Sequence, residues 1–287
     1  KLLYAWITTN HTTTQPMTMN TPNTSPDSSS QGWSPDELLQ GFRVGWRFLT
    51  ILPGARTSEA DTDALDVRSF PVIGGILGAI GAAVYLLADM SGLPAMVCAL
   101  LALACYIASS GLLHEDGLGD VADSLGGQTQ EQRLEILNDS RIGTFGVAAL
   151  LFGFLLRLAT LTALGDISPF FAAVALVGAG AFSRAAMGFL ARALPDARED
   201  GLSATLLETP PNSALAVAAL LGILPGVILL GVKGVVLAVF LGGAMLAGLS
   251  LWAKLQLGGR TGDVLGASQI FAEIGFLLAA CLVLTAT

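Results

Sequence analysis

Histidine and lysine are almost missing from this chain of 287 residues, and the few present stand far apart. The histidines are His11 and His114 alone, so a zinc site built on several imidazoles cannot be assembled. The lysines are Lys1, Lys233 and Lys254, none of them after a glycine-rich turn, which excludes a Walker-type nucleotide site. Nothing resembles a nucleophile elbow, so covalent hydrolase chemistry has no support. Cys98, Cys105 and Cys281 lie singly in apolar runs, without metal-site spacing, and read as small buried hydrophobes. Charged residues are only 13% of the chain, the net charge is −8, and no basic patch occurs, so nucleic acid is not an expected partner.

Apolar residues are what the chain has in excess: 53% of it is hydrophobic and its mean hydropathy is +0.68, beyond what a soluble core of this length needs. A run of roughly 20 apolar residues crosses a bilayer as a helix, which satisfies its own backbone polar groups. Such runs lie near 70–88, 93–113, 143–165, 168–190, 213–231, 234–253 and 264–286, so about seven transmembrane helices are expected in an all-α, polytopic integral membrane bundle. Continuous apolarity, rather than alternation, argues against a β-barrel. The pairs Gly74–Gly75, Gly178–Gly180 and Gly242–Gly243 suit close helix packing in lipid, within one chain or between copies in a homo-oligomer.

Residues 38–52 are apolar but broken by Arg43 and Arg47, and read as an N-terminal amphipathic helix at the membrane interface. Residues 1–34, rich in Thr, Asn, Ser and Pro, form an expected disordered tail ahead of a single membrane domain over 35–287. Arg43, Arg47, Arg56 and Arg68 precede the first span, Arg133 and Arg141 follow the second, Arg192 and Arg198 the fourth, and Lys254 and Arg260 the sixth. All fall on one side, while the opposite side offers only Lys233. That side is cytoplasmic, with the N-terminus inside and the C-terminus outside for an odd count. Arg157 and Arg184 lie within spans; Arg184 either pairs with Glu273 of the last span or snorkels.

Three segments on the cytoplasmic side carry chemistry. In GLLHEDGLGDVADSLGG, starting at Gly111, the acids Glu115, Asp116, Asp120 and Asp123 crowd together at the end of the second span. At helical spacing Asp116, Asp120 and Asp123 share one face, where like charges repel unless a cation neutralises them. Hard carboxylate oxygens suit Mg²⁺ or Mn²⁺ better than zinc, and a solvated acidic loop is the competing reading. Gly117 and Gly119 permit close backbone approach or simply turn the chain. In TQEQRLEILNDSRIGTFG, Thr129 and Gln132 form a capping box for a short helix closing near Asn138. Asp139 and Arg141 then either position a metal and a phosphate or form a local ion pair. In LGGRTGDVLGA, the turn of Gly258, Gly259 and Gly262 opens a helix at Asp263, whose first N–H groups can meet a phosphate beside Arg260.

Taken in order, RFLTILPG (47–54), FPVIGGILG (70–78), HEDGLGDVADSLGG (114–127), RLEILNDSRIGTFG (133–146) and GGRTGDVLGA (258–267) resemble the cobalamin synthase family, the adenosylcobinamide-GDP ribazoletransferases. The likeness runs over nearly all of the chain beyond the tail. It implies a Mg²⁺-dependent transfer in which α-ribazole or its 5′-phosphate displaces GMP from adenosylcobinamide-GDP, in the cell inner membrane with the active-site segments cytoplasmic. On that resemblance Asp116, Asp120 and Asp263 hold one or two Mg²⁺ ions, Glu115 stands with them, and Asp123 and Asp139 serve as further ligands or as the base. Arg141, Arg260 and Gly262 meet phosphate, Arg198 with Glu199, Asp200 and Gly201 meets substrate, and His114 donates a hydrogen bond or moves a proton. A CDP-alcohol phosphotransferase performs related chemistry, but its acidic spacing is not reproduced; a secondary transporter would place its charges near the bilayer midplane.

Overall fold

The computed structural model describes residues 34–54, 65–198 and 209–285. Residues 1–33 of the expected disordered tail, Arg56 and the segment Glu199–Gly201 therefore lie outside the described residues, while Ser34, the tail's last residue, caps the first helix. The described chain is an all-α bundle of a polytopic membrane protein. Its helices are α1 (Pro35–Leu49), α2 (Phe70–Met90), α3 (Ala95–Ser109), α4 (Leu113–Asp123), α5 (Gln130–Asn138), α6 (Thr144–Ile167), α7 (Pro169–Ala193), α8 (Asn212–Gln256) and α9 (Gly262–Leu284).

Helix α1 starts with a reciprocal cap: Glu37 N–H donates to Ser34 Oγ at 3.2 Å, and Ser34 N–H donates to Glu37 Oε2 at 3.1 Å. Its buried stripe is Gly41, Gly45 and Leu49, one turn apart, with Gly41 against Asp66 and Gly45 against Ser69 and Ile73. Helix α5 opens where the capping signal placed it, Gln132 N–H donating to Thr129 Oγ1, and it ends at Asn138. The Gln132 side chain reaches back to the Gln128 N–H, one residue before the expected partner.

The centre of the bundle is α7 with α9, of which 78% and 67% of the apolar stretch is buried. Helix α2 crosses α7 at backbone contact, because a Cβ on Gly74 would overlap the Gly180 carbonyl and one on Gly78 that of Leu176. At least one glycine of each expected pair faces a neighbour. Gly178 lies under the Phe276 ring and Gly242 against Ala272 and Phe182, whereas Gly243 has open space.

Two corrections concern the spans. Among the described residues five helices are singly long and apolar enough to cross a membrane, six if α3 and α4 count as one broken span, where seven separate runs were expected. Helix α3 stops at Ser109 rather than continuing to 113, because Gly111 (φ 65°) and Leu112 (φ 58°) take left-handed conformations that turn the chain. The axis bends there by 88°, and α4 runs off nearly at right angles. The two runs at 213–231 and 234–253 join as α8, whose one non-helical residue is Gly231 (φ 66°, ψ 178°). In a straight helix Gly222 and Gly242 would stand about 30 Å apart, yet both lie against Phe182. The break therefore folds α8 into a hairpin, and its outer side chains Leu220, Ile228, Phe240 and Leu251 are exposed, as lipid-facing residues are.

Candidate active site

The acidic segment is a helix, not a loop. Its face toward the bundle is His114, Glu115, Gly117, Leu118, Val121 and Ala122, all buried, and the other face carries Asp116, exposed, with Asp120 and Asp123 half-buried. Gly117 is what lets α4 approach α9: a Cβ there would fall 2.7 Å from the Asp263 carbonyl oxygen. Asp263, in the first turn of α9, is thereby brought beside the helix bearing Asp116 and Asp120. Thr261 caps α9 by accepting from Val264 N–H, and Gly262 next to it is exposed, with open space where a side chain would be.

The expected cluster of five metal-binding acids does not form. Among the described residues no three His, Cys, Asp or Glu side chains stand together so as to hold a metal ion. Asp123 and Glu115 are drawn away from the shared face. Asp123 accepts from Gly143 N–H and from Gly146 N–H, each at 2.7 Å, and so caps the start of α6 from a distance. Both positions must be glycine for this, since a Cβ at either would run into the Asp123 carboxylate. Glu115 points the other way, into the bundle, and accepts from Arg157 Nη1 at 3.0 Å.

Of the cations expected at phosphate, only Arg141 faces solvent. Its side chain is 87% exposed and held to Asp139 at 2.7 Å, and hydrogen bonding to that carboxylate and its charge push the guanidinium above its ordinary pKa. Arg260 is a correction: it is buried, forked onto Asp196 (Nε–Oδ1 2.7 Å, Nη2–Oδ2 3.0 Å) and bonded to the Ala191 carbonyl. With the backbone bonds Arg260 N–H to Pro195 O (2.7 Å) and Ala197 N–H to Arg260 O (2.9 Å), it ties the end of α7 to the turn before α9. Arg198 donates to the Leu134 carbonyl at 2.8 Å and fastens the same strap to α5.

Behind α4 the bundle core holds a polar cluster only partly expected from the sequence. Glu273 lies between Arg157 (3.4 Å) and Arg184 (3.7 Å), and its Oε2 also accepts from Tyr106 Oη at 2.6 Å and from Gln269 Nε2. Gln269 Nε2 donates to Ser183 Oγ at 2.9 Å, and Arg184 donates to Tyr106 Oη. His114 is buried in the field of Arg184 and Arg157, and neither ring nitrogen has a hydrogen-bond partner. Of the two readings of Arg184, pairing with Glu273 is the one the structure shows. Arg157 was placed within a span and given no role, and its position four residues after Gly153, whose carbonyl it caps at 3.1 Å, offered no cue to a partner on α4. Against the bundle-facing side of α4 an apolar cavity of about 420 Å³ opens between Leu118, Val121, Phe152, Leu249, Trp252 and Phe271.

Comparison with known proteins gives one answer throughout. The family model described as cobalamin-5-phosphate synthase matches residues 41–281. An adenosylcobinamide-GDP ribazoletransferase of Bradyrhizobium diazoefficiens is 40% identical over 249 residues, 85% of this chain and 94% of the relative. Those of Azorhizobium caulinodans and Mesorhizobium japonicum are each 42% identical, over 84% and 88% of this chain and 95% and 96% of theirs. No solved structure matches.

Proposed function

The chain belongs to the cobalamin-5-phosphate synthase family, and from that premise we infer that it performs the ribazole transfer that completes the nucleotide loop of cobalamin. α-Ribazole or its 5′-phosphate joins adenosylcobinamide-GDP, and GMP is released. A ribose hydroxyl oxygen bonds to the phosphorus that carries the cobinamide, the bond from that phosphorus to GMP breaks, and the hydroxyl proton passes to an acid of the reacting face. The observation that supports the site assignment is the close approach of α4 and α9 at Gly117 and Asp263, which brings the helix bearing Asp116 and Asp120 to the start of α9.

Asp116 and Asp120 stand one turn apart on the outer face of α4, with Asp263 adjacent, and these are the residues that would hold Mg²⁺. The donor set fits: Mg²⁺ is commonly held by one or two carboxylates together with substrate phosphate, so a closed protein cage is not required. When bound it neutralises charge on the pyrophosphate and on the departing GMP. Around it the chain's own groups orient the substrate. Arg141 offers a permanently charged guanidinium to phosphate, and the first N–H groups of α9 at Gly262 and Asp263 offer donors of fixed direction. Asp139 holds Arg141 in place. Asp123 holds the start of α6 against α4, and His114 and Glu115 face the inside of the bundle rather than substrate.

Residues 35–287 form the transmembrane catalytic domain in this reading, with α4, α5 and the start of α9 on the cytoplasmic side of the cell inner membrane. The one-sided Arg and Lys distribution supports that orientation. The fold-back of α8 at Gly231, with Lys233 beside it, supports two spans there and hence seven in all once α3 with α4 counts as one. The exposed Arg43 and Arg47 on α1, opposite its buried stripe, support an interfacial helix. The test is GMP release by purified protein given adenosylcobinamide-GDP and ribazole phosphate, with Mg²⁺ and with EDTA. Metal-dependent formation of GMP and a cobalamin is expected, and Asp116→Ala lowers it at least a hundredfold; full turnover in EDTA would overturn the metal assignment.

A further inference from the structure

The charged cluster in the core takes no part in the transfer as derived above, yet it joins side chains of five helices. Arg157 is its junction with the acidic helix, bridging Glu115 of α4 at 3.0 Å and Glu273 of α9 at 3.4 Å through the same nitrogen. Arg157 is 2% exposed and Glu273 1%, so neither reaches substrate. Helix α4 needs such an anchor. It lacks a side-chain cap, its N-cap Leu112 is left-handed, and Gly117 and Gly119 lower its intrinsic helicity. Besides its packing on α9 at Gly117, it is bonded to α6 at each end: Glu115 to Arg157, and Asp123 to the N–H groups of Gly143 and Gly146.

On a helix each residue is turned about 100° from the last. Fixing Glu115 inward therefore sets Asp116 and Asp120 at about 100° and 140° from it, on the outer face beside Asp263. We propose that Arg157 and Glu115 are positioning residues for the transfer: through their buried ion pair they set the rotation of α4, and with it the two carboxylates that receive the divalent cation. This rests on the assignment of Asp116 and Asp120 under the proposed function. Residues that orient metal ligands change metal affinity by roughly 10–100-fold when lost.

Charge balance separates positioning from folding. Arg157 and Arg184 are matched by Glu115 and Glu273, so Glu115→Gln leaves a surplus cation in the core and lowers the melting temperature, while Glu115→Gln with Arg157→Gln restores neutrality. Mn²⁺ binding to the detergent-purified full chain, followed by electron paramagnetic resonance, is the readout, with GMP release alongside. Glu115→Gln, the double variant and Arg157→Lys are each expected to bind Mn²⁺ about tenfold more weakly, with kcat lowered and KM for ribazole phosphate unchanged. The double variant regains the melting temperature but not the affinity. Wild-type Mn²⁺ affinity in the double variant, with Asp120→Asn weakened, would overturn the positioning role and leave the acidic face standing. Wild-type affinity in Asp120→Asn would overturn the acidic face itself, and the proposal with it.

Discussion

Replacing Asp123 separates two roles that a carboxylate in this segment can have. Its two oxygens accept from Gly143 N–H and Gly146 N–H, both at 2.7 Å, in the first turn of α6. A hydrogen bond to a charged group contributes about 1.5–3 kcal/mol, and the bond to exposed Gly143 is discounted for screening. Asp123→Ala therefore costs about 3 kcal/mol, at the upper end of measured cap losses and beyond. Asp123→Asn costs less, about 1.5 kcal/mol, because one amide oxygen still accepts while the NH₂ opposes the second N–H. At about 2–4 °C per kcal/mol for a domain of this size, the melting temperature falls by roughly 6–12 °C for Ala and half that for Asn. Thermal melts in detergent and hydrogen exchange at residues 143–147 measure it, with GMP release recorded well below the melt. If Asp123→Asn melts like wild type but loses activity a hundredfold or more, Asp123 belongs to the chemistry, and the capping argument is refuted.

Other substitutions test the packing. Gly180→Val forces α2 off α7, since even a Cβ overlaps the Gly74 carbonyl, and loss of the folded peak on gel filtration is expected; Gly243→Val, with open space around it, is tolerated. Asp196→Ala strands buried Arg260 without its forked partner and costs about 3–5 kcal/mol, read as a lower melting temperature and faster proteolysis after residue 198. Leu112→Gly relieves a left-handed side-chain residue at φ 58° and stabilises by about 1 kcal/mol, read in the same melt.

The spans were legible because hydropathy over twenty residues reports on solvent, and the glycine pairs because lipid gives helices little other means of close approach. Thr129 and Asn138 marked α5 for the same local reason, a cap and its termination. The helical state of α4 was half legible: Asp116, Asp120 and Asp123 have helical spacing, but Gly117 and Gly119 read as turn formers. A sharper signal was the buried stripe of His114, Leu118, Val121 and Ala122, at the 3.6-residue period. The partners of Arg260 and Arg157 were not legible. Asp196 and Glu115 are chosen by how distant segments meet, which no local pattern records. Arg260 looks in the sequence like a cation available for phosphate, and only its burial shows that it is not.

The core cluster also has a history written in the order of its residues. A chain enters the membrane from its N-terminal end, so Arg157 and Arg184 are committed to the bilayer before Glu273, which arrives with α9. Each unmatched arginine at mid-bilayer costs about 2.5–3.5 kcal/mol on the insertion scale. Until α9 arrives, Glu115 alone offsets two cations, and the half-made protein carries an unbalanced charge in its interior. The docking of α9 and the neutralisation of the core are then the same event. A chain lacking α9 would keep that unbalanced charge in its interior.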